Sequence, residues 1–131
     1  MSGVSPKTKV LVVDDDTTLL GMYKERLEAS GYDVAIATNG EEALKTVGEF
    51  NPDCMLLDVM MPRMSGYDVL QHIKTDEKTK NIPVIMLTAL VQDASKQKSI
   101  AEGADSYLIK SEIMPGEVIN KIEEAISKKR N

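Results

Sequence analysis

Five polar residues fall at the C-terminal ends of apolar runs. Asp14 and Asp15 follow Lys9-Val-Leu-Val-Val13, and Asp58 follows Cys54-Met-Leu-Leu57. Thr88 follows Val84-Ile-Met-Leu87, and Lys110 follows Ser106-Tyr-Leu-Ile109. Three carboxylates, a hydroxyl and an ammonium suit a divalent cation and a phosphoryl group. Two unit charges about 4 Å apart repel by about 4 kcal/mol at an effective dielectric of about 20. A converging acid cluster therefore calls for a cation or for Lys110. Hard oxygen ligands with room for water fit Mg²⁺, and Mn²⁺ can substitute. A carboxylate can also attack phosphorus to give an acyl phosphate, with Lys110 and Thr88 meeting the charge on the phosphoryl oxygens. Asp16 reads differently, as an acid favouring the start of the first helix.

These residues need a scaffold that collects strand ends. Val10 to Val13 is continuously apolar, as in a strand covered on both faces. Leu19, Tyr23 and Leu27 then recur by four up to Gly31, which predicts a helix. Val34 to Ala37 reads as a weaker strand near an edge, followed by a helix carrying Ala43, Leu44 and Val47. The third strand is Met55 to Leu57, and Val69, Leu70 and Ile73 line the next helix. Pro83 opens the fourth strand, and a polar helix runs from about Gln92 to Glu102, closed by Gly103. The fifth strand spans roughly Asp105 to Ile109, and the last helix runs from near Pro115 to Lys128. Alternation of this kind predicts an α/β fold, a doubly wound (βα)5 parallel sheet of flavodoxin-like order 2-1-3-4-5. Its switch point lies between strands one and three, where ligands bind in such sheets. Asp14, Asp15 and Asp58 flank that point.

Composition narrows the class. The 131 residues, 42% hydrophobic and 28% charged, fit a single domain with a core at about 8–128. Sixteen basic against 21 acidic residues leave a net charge of −5, which argues against direct nucleic-acid binding. Lys128-Lys129-Arg130 reads as a solvated tail. The lone Cys54 excludes an intramolecular disulfide and reads as a buried small hydrophobe. Met1 to Thr8 lacks a signal-peptide core, and no run reaches membrane-spanning length, so a cytoplasmic location is expected. His72 reads as an ordinary surface residue, and Met60, Met61 and Met64 as packing around the loop after Asp58.

Four segments in order carry a resemblance. They are Lys9 to Asp16, Leu56-Leu-Asp-Val-Met-Met-Pro-Arg-Met-Ser-Gly66, Val84 to Ala89, and Gly103-Ala-Asp-Ser-Tyr-Leu-Ile-Lys110. Together they resemble the response-regulator receiver domain, the phosphoacceptor half of two-component signalling. The resemblance implies Asp58 as the phosphorylation site, with Asp14, Asp15 and the Met60 backbone carbonyl as further metal ligands. It implies Thr88 and Lys110 as phosphoryl contacts and Tyr107 as the aromatic of a switch with Thr88. Such a domain is a signalling switch rather than an enzyme, although it promotes its own phosphorylation and dephosphorylation. Its donor is a sensor histidine kinase or a histidine phosphotransfer protein. Its output is a changed helix-four, strand-five, helix-five surface offered to a downstream effector protein. A monomer or weak phosphorylation-dependent dimer is expected, with no membrane role and no output domain after the fifth helix. In the family, residues two places beyond the phosphoacceptor and the threonine flank the water's approach; here they are Met60 and Leu90. The family's proline after the lysine, joined by a cis peptide, is replaced by Ser111, which leaves the isomer of the Lys110–Ser111 bond open.

Two rivals share features. Asp14-Asp15-Asp16-Thr17-Thr18 fits the Asp-x-Asp-x-Thr pattern of haloacid-dehalogenase-type phosphatases, with Asp14 as nucleophile and Asp16 as general acid. That reading gives Asp58 no role and lacks a later acidic pair and a cap domain. A flavin carrier shares the sheet order but needs a hydroxyl- and glycine-rich loop where this chain has three acids.

Overall fold

The structure, a computed structural model, describes residues 7–130. Expectations about Met1 to Pro6 and Asn131 lie outside the described residues. Five strands alternate with five helices: β1 Lys9–Val13, α1 Thr17–Ala29, β2 Asp33–Ala37, α2 Gly40–Phe50, β3 Cys54–Leu57, α3 Gly66–Thr75, β4 Val84–Thr88, α4 Asp93–Ala101, β5 Ser106–Ile109 and α5 Pro115–Arg130. All four strand pairings are parallel, and the order is β2-β1-β3-β4-β5. The expected (βα)5 topology is therefore the observed one, with β2 at an edge.

Strand periodicity sorts the core into two layers. Side chains alternate across a strand, so Val10 and Val12 pack on one face with α1 and α5, while Leu11 and Val13 pack on the other with α2 and α3. Val118, Ile122 and Ile126 carry the α5 face, and Val69, Leu70 and Ile73 the α3 face. Ile119, next to Val118, is only partly buried.

The ends of the sheet differ. Asp53 and Asp105, before β3 and β5, take the backbone N–H groups of Lys9 and Val84 at 2.8 Å each. Asp105 therefore caps the neighbouring strand, and β5 begins one residue later than expected. Carboxylates at this end of the sheet serve the backbone.

Two local expectations need correction, and one question left open is answered. Lys128 to Arg130 form the last turn of α5 rather than a tail, with Lys128 and Lys129 exposed. Met60 does not pack inward: it is 55% exposed, while Met61 and Met64 pack against the core. The Lys110–Ser111 peptide is trans, and Lys110–Glu112 form a short 3₁₀ turn leading to α5. His72 is exposed on α3, as expected.

Candidate phosphoryl and metal site

Asp14, Asp15 and Asp58 meet where β1 and β3 end side by side. Val13 pairs with Leu57 in the sheet, and the Asp58 N–H continues that ladder to the Val13 carbonyl at 3.0 Å. Parallel register thus delivers the acids to one place. One carboxylate oxygen from each of the three lies within 4.8 Å of the others.

Each acid has a distinct environment. Asp14 is 2% exposed; one oxygen accepts the Asp16 N–H at 2.9 Å and the other pairs with Lys110 Nζ at 2.7 Å. Burial raises its pKa above the ordinary aspartate range, against the lowering effect of those two contacts, and the charge of Asp58 adds to the rise. Asp58 is 4% exposed; it accepts the Met60 N–H at 3.2 Å and faces Lys110 Nζ at 3.3 Å. Asp15 is exposed. Burial alone would lower the Lys110 pKa, but the bond to Asp14 and the charges of Asp58 and Asp14 outweigh it, and the net direction is up.

Asp16 is used up by the fold. It is the N-cap of α1, accepting the N–H groups of Thr18 and Leu19 at 3.0 and 3.2 Å. A carboxylate occupied this way is poorly placed as a general acid, which removes the main support for the phosphatase reading.

Thr88 and Tyr107 lie on neighbouring strands, β4 and β5. Thr88 is fully buried, and its Oγ1 accepts the Leu90 N–H at 3.2 Å. Tyr107 is buried with its hydroxyl 2.8 Å from the Leu90 carbonyl and 2.8 Å from Ser95 Oγ. Met60, Leu90, Asp15 and Tyr67 line one groove beside the acids.

The loop carrying Asp58 is clamped from behind. The Gly66 N–H donates to the Val59 carbonyl at 2.8 Å. A Cβ placed on Gly66 would lie 2.1 Å from the Asp58 carbonyl oxygen, so only hydrogen fits there.

The sequence of the response regulator receiver domain matches residues 10–123. The chain belongs to that family. Over 102 residues it is 39% identical to the DNA-binding dual master transcriptional regulator RpaA of Synechocystis, covering 78% of this chain and 42% of that protein. The chain thus spans about two fifths of the length of that relative. Among solved structures, a CheY-like receiver domain protein of Methanospirillum hungatei superposes with a TM-score of 0.89 at 29% identity, covering 95% of this chain and 98% of that one. The chemotaxis protein CheY4 of Vibrio cholerae gives 0.85 at 30% identity, covering 92% and 99%. The protein is accordingly a two-component receiver domain and a signalling switch, and the phosphatase alternative is not favoured. No helix among the described residues is long and apolar enough to cross a membrane.

Sequence reasoning found the strand-end residues but missed two hydroxyls in this region. Tyr67 and Ser95 were assigned nothing. The signal for Ser95 lay in α4, where Ser95 and Ser99 hold the spacing that apolar residues would hold on an inward face.

Proposed function

We propose that this receiver accepts a phosphoryl group on Asp58, with Asp14, Asp15, Asp58 and the Met60 backbone carbonyl holding the metal. The observation that carries the reading is the meeting of three carboxylates with Lys110 bridging two of them. Three negative charges against one positive leave two, which a divalent cation balances. Hard carboxylate oxygens fit Mg²⁺, and Mn²⁺ in its place. When bound, the ion supplies charge neutralisation at the phosphoryl oxygens.

The chain's own residues supply the remainder. An Asp58 oxygen attacks phosphorus and the P–N bond of a phosphohistidine donor, or the P–O bond of acetyl phosphate, breaks. Lys110 meets one phosphoryl oxygen with its ammonium. Thr88 donates its hydroxyl to another, and Tyr107 follows the movement of the β4–α4 loop. The donor is a sensor histidine kinase or histidine phosphotransfer protein, and the output is the face built by α4, β5 and α5, presented to an effector protein. A net charge of −5 supports a protein partner over direct nucleic-acid contact.

Acetyl phosphate labelling with mapping of the modified residue tests this. Label should reside on Asp58 and require a divalent cation. Asp58→Asn should abolish it, and Asp15→Asn should impair metal binding. Normal, EDTA-insensitive labelling of either variant refutes the assignment. On adding beryllofluoride, chemical-shift changes should cluster at residues 89–104 and 106–110; changes confined to α1 and α2 contradict the output face.

A further inference from the structure

Three hydroxyls from three elements meet under α4. Tyr67 of α3 bonds Ser95 of α4, and Ser95 bonds Tyr107 of β5. Counting protons fixes the direction of this chain. The Leu90 carbonyl can only accept, so Tyr107 donates its single proton there. Ser95 must then donate to Tyr107, and Tyr67 must donate to Ser95. Leu90 carries the link on to Thr88, because its own N–H, on the other side of its Cα from that carbonyl, donates to Thr88 Oγ1. Tyr67 is therefore linked to Thr88 through Ser95, Tyr107 and Leu90.

The link has a natural competitor. A serine within a helix can turn its hydroxyl back to the carbonyl one turn earlier. With Tyr67 donating to Ser95 and Tyr107 available as acceptor, the Ser95 proton is directed outward from its own helix. Ser99, one turn on and fully buried, has no hydrogen-bond partner for its Oγ. The α4 underside is thus polar, and Ser95 is the hydroxyl on it that the tyrosines reach. The Tyr67 ring also lies 5.0 Å from Lys98 Nζ on α4, a contact that does not use its hydroxyl.

We propose that Tyr67 is a positioning residue of the switch: acting through Ser95, its hydroxyl holds Tyr107 inward against the Leu90 carbonyl. The inference rests on reading Asp58 as phosphoacceptor and Tyr107 as the switch aromatic. A phosphoryl group that draws on Thr88 then favours the state in which this chain is complete, since a ligand shifts only an equilibrium between states it binds differently.

The test is beryllofluoride affinity of the full chain with Mg²⁺, read together with the Tyr107 ring signals by NMR. Tyr67→Phe keeps the ring over Lys98 and removes the hydroxyl. One hydrogen bond of about 1 kcal/mol corresponds to roughly fivefold weaker binding. The Tyr107 ring signals should move away from those of the buried ring held at the Leu90 carbonyl. Ser95→Ala should do the same, and the double variant should be no worse than Ser95→Ala alone, because Tyr67 then has no route to Tyr107. Parental affinity in Tyr67→Phe, or additive losses in the double variant, overturns the proposal, even where Tyr67→Phe melts earlier. Failure of the parent itself to bind, or retained binding in Asp58→Asn, instead refutes the Asp58 reading.

Discussion

Lys110 Nζ lies closer to Asp14, at 2.7 Å, than to Asp58, at 3.3 Å. The lysine is held mainly by Asp14, one of the acids proposed to bind metal, rather than by the proposed phosphoacceptor. On the proposed assignment, a cation held by Asp14 would compete with that ammonium and free it toward Asp58, where a phosphoryl oxygen would need it. Metal binding and phosphoryl capture would then be coupled through the Lys110 side chain.

The first prediction concerns metal and pH. In EDTA the buried Asp14 holds its proton more tightly folded than unfolded, so stability falls as pH rises from 3.8 through the raised value. The Lys110 contribution has the opposite location: it is complete below 10.5 and lost as pH rises through the elevated value of the folded state. Asp14→Asn should therefore melt higher than the parent in EDTA at neutral pH. A ligand at a hundred times its Kd adds about 2.7 kcal/mol, and the parent should gain several degrees in Mg²⁺ while Asp14→Asn gains little. Thermal melts with and without Mg²⁺ decide it, and an equal gain in both proteins contradicts the metal assignment.

Glycine substitutions should split by location. Gly66→Ala forces a methyl onto the backbone of Asp58 and Val59, and overpacking of this kind costs about 1–3 kcal/mol or more. It should also displace Asp58 and slow phosphorylation. Gly21→Ala, within α1 and with nothing within 4 Å of the added carbon, should stabilise by up to about 1 kcal/mol. Urea midpoints of the two variants should move in opposite directions.

The phosphoryl group should be long-lived. Met60 and Leu90 line the groove beside the acids, and Met60 stands outward at 55% exposure. Neither side chain can hydrogen-bond and orient an attacking water, and on the proposed reading both stand beside its path. Decay of the phosphorylated protein should be slower than that of a Met60→Asn, Leu90→Lys double variant. Equal or slower decay in the variant means the apolar pair gives no protection.

Cys54 should be chemically silent in the native protein. Burial, with the charges of Asp105 and Asp53 adding, pushes its thiol up to about 12. The thiolate is the reactive form, so iodoacetamide at pH 8 should label Cys54 only as the chain unfolds. Because the folded value is raised, its contribution to stability is present below the ordinary value of 9.0 and lost as pH climbs toward 12. Rapid native labelling contradicts this burial.

The sheet and its acid cluster were legible because both follow from period and position. Continuous apolar runs ending in Asp14, Asp58, Thr88 and Lys110 dictate parallel strands with polar tips, and register then brings the tips together. Met60 was misread because its neighbours Met61 and Met64 do pack inward; a loop has no period to tell one methionine from the next. Ser95 went unread for the opposite reason. Its helix has a period, but hydroxyls occupy the inner positions, so a search for apolar spacing finds no inward face.

That inner face also governs which part of the molecule lets water in. Ser95 and Ser99 are buried under α4, while Ile100, at 45% exposure, and Val91, at 59%, stand outside. Burial preference thus runs against the packing, and the helix begins at Gln92 without a side-chain cap. Detaching α4 should therefore cost less than detaching α1 or α5, whose inner faces are apolar. Its amide protons should exchange with solvent deuterium through a local opening well below the global unfolding free energy, while those of β1 and β3 wait for the whole domain to come apart.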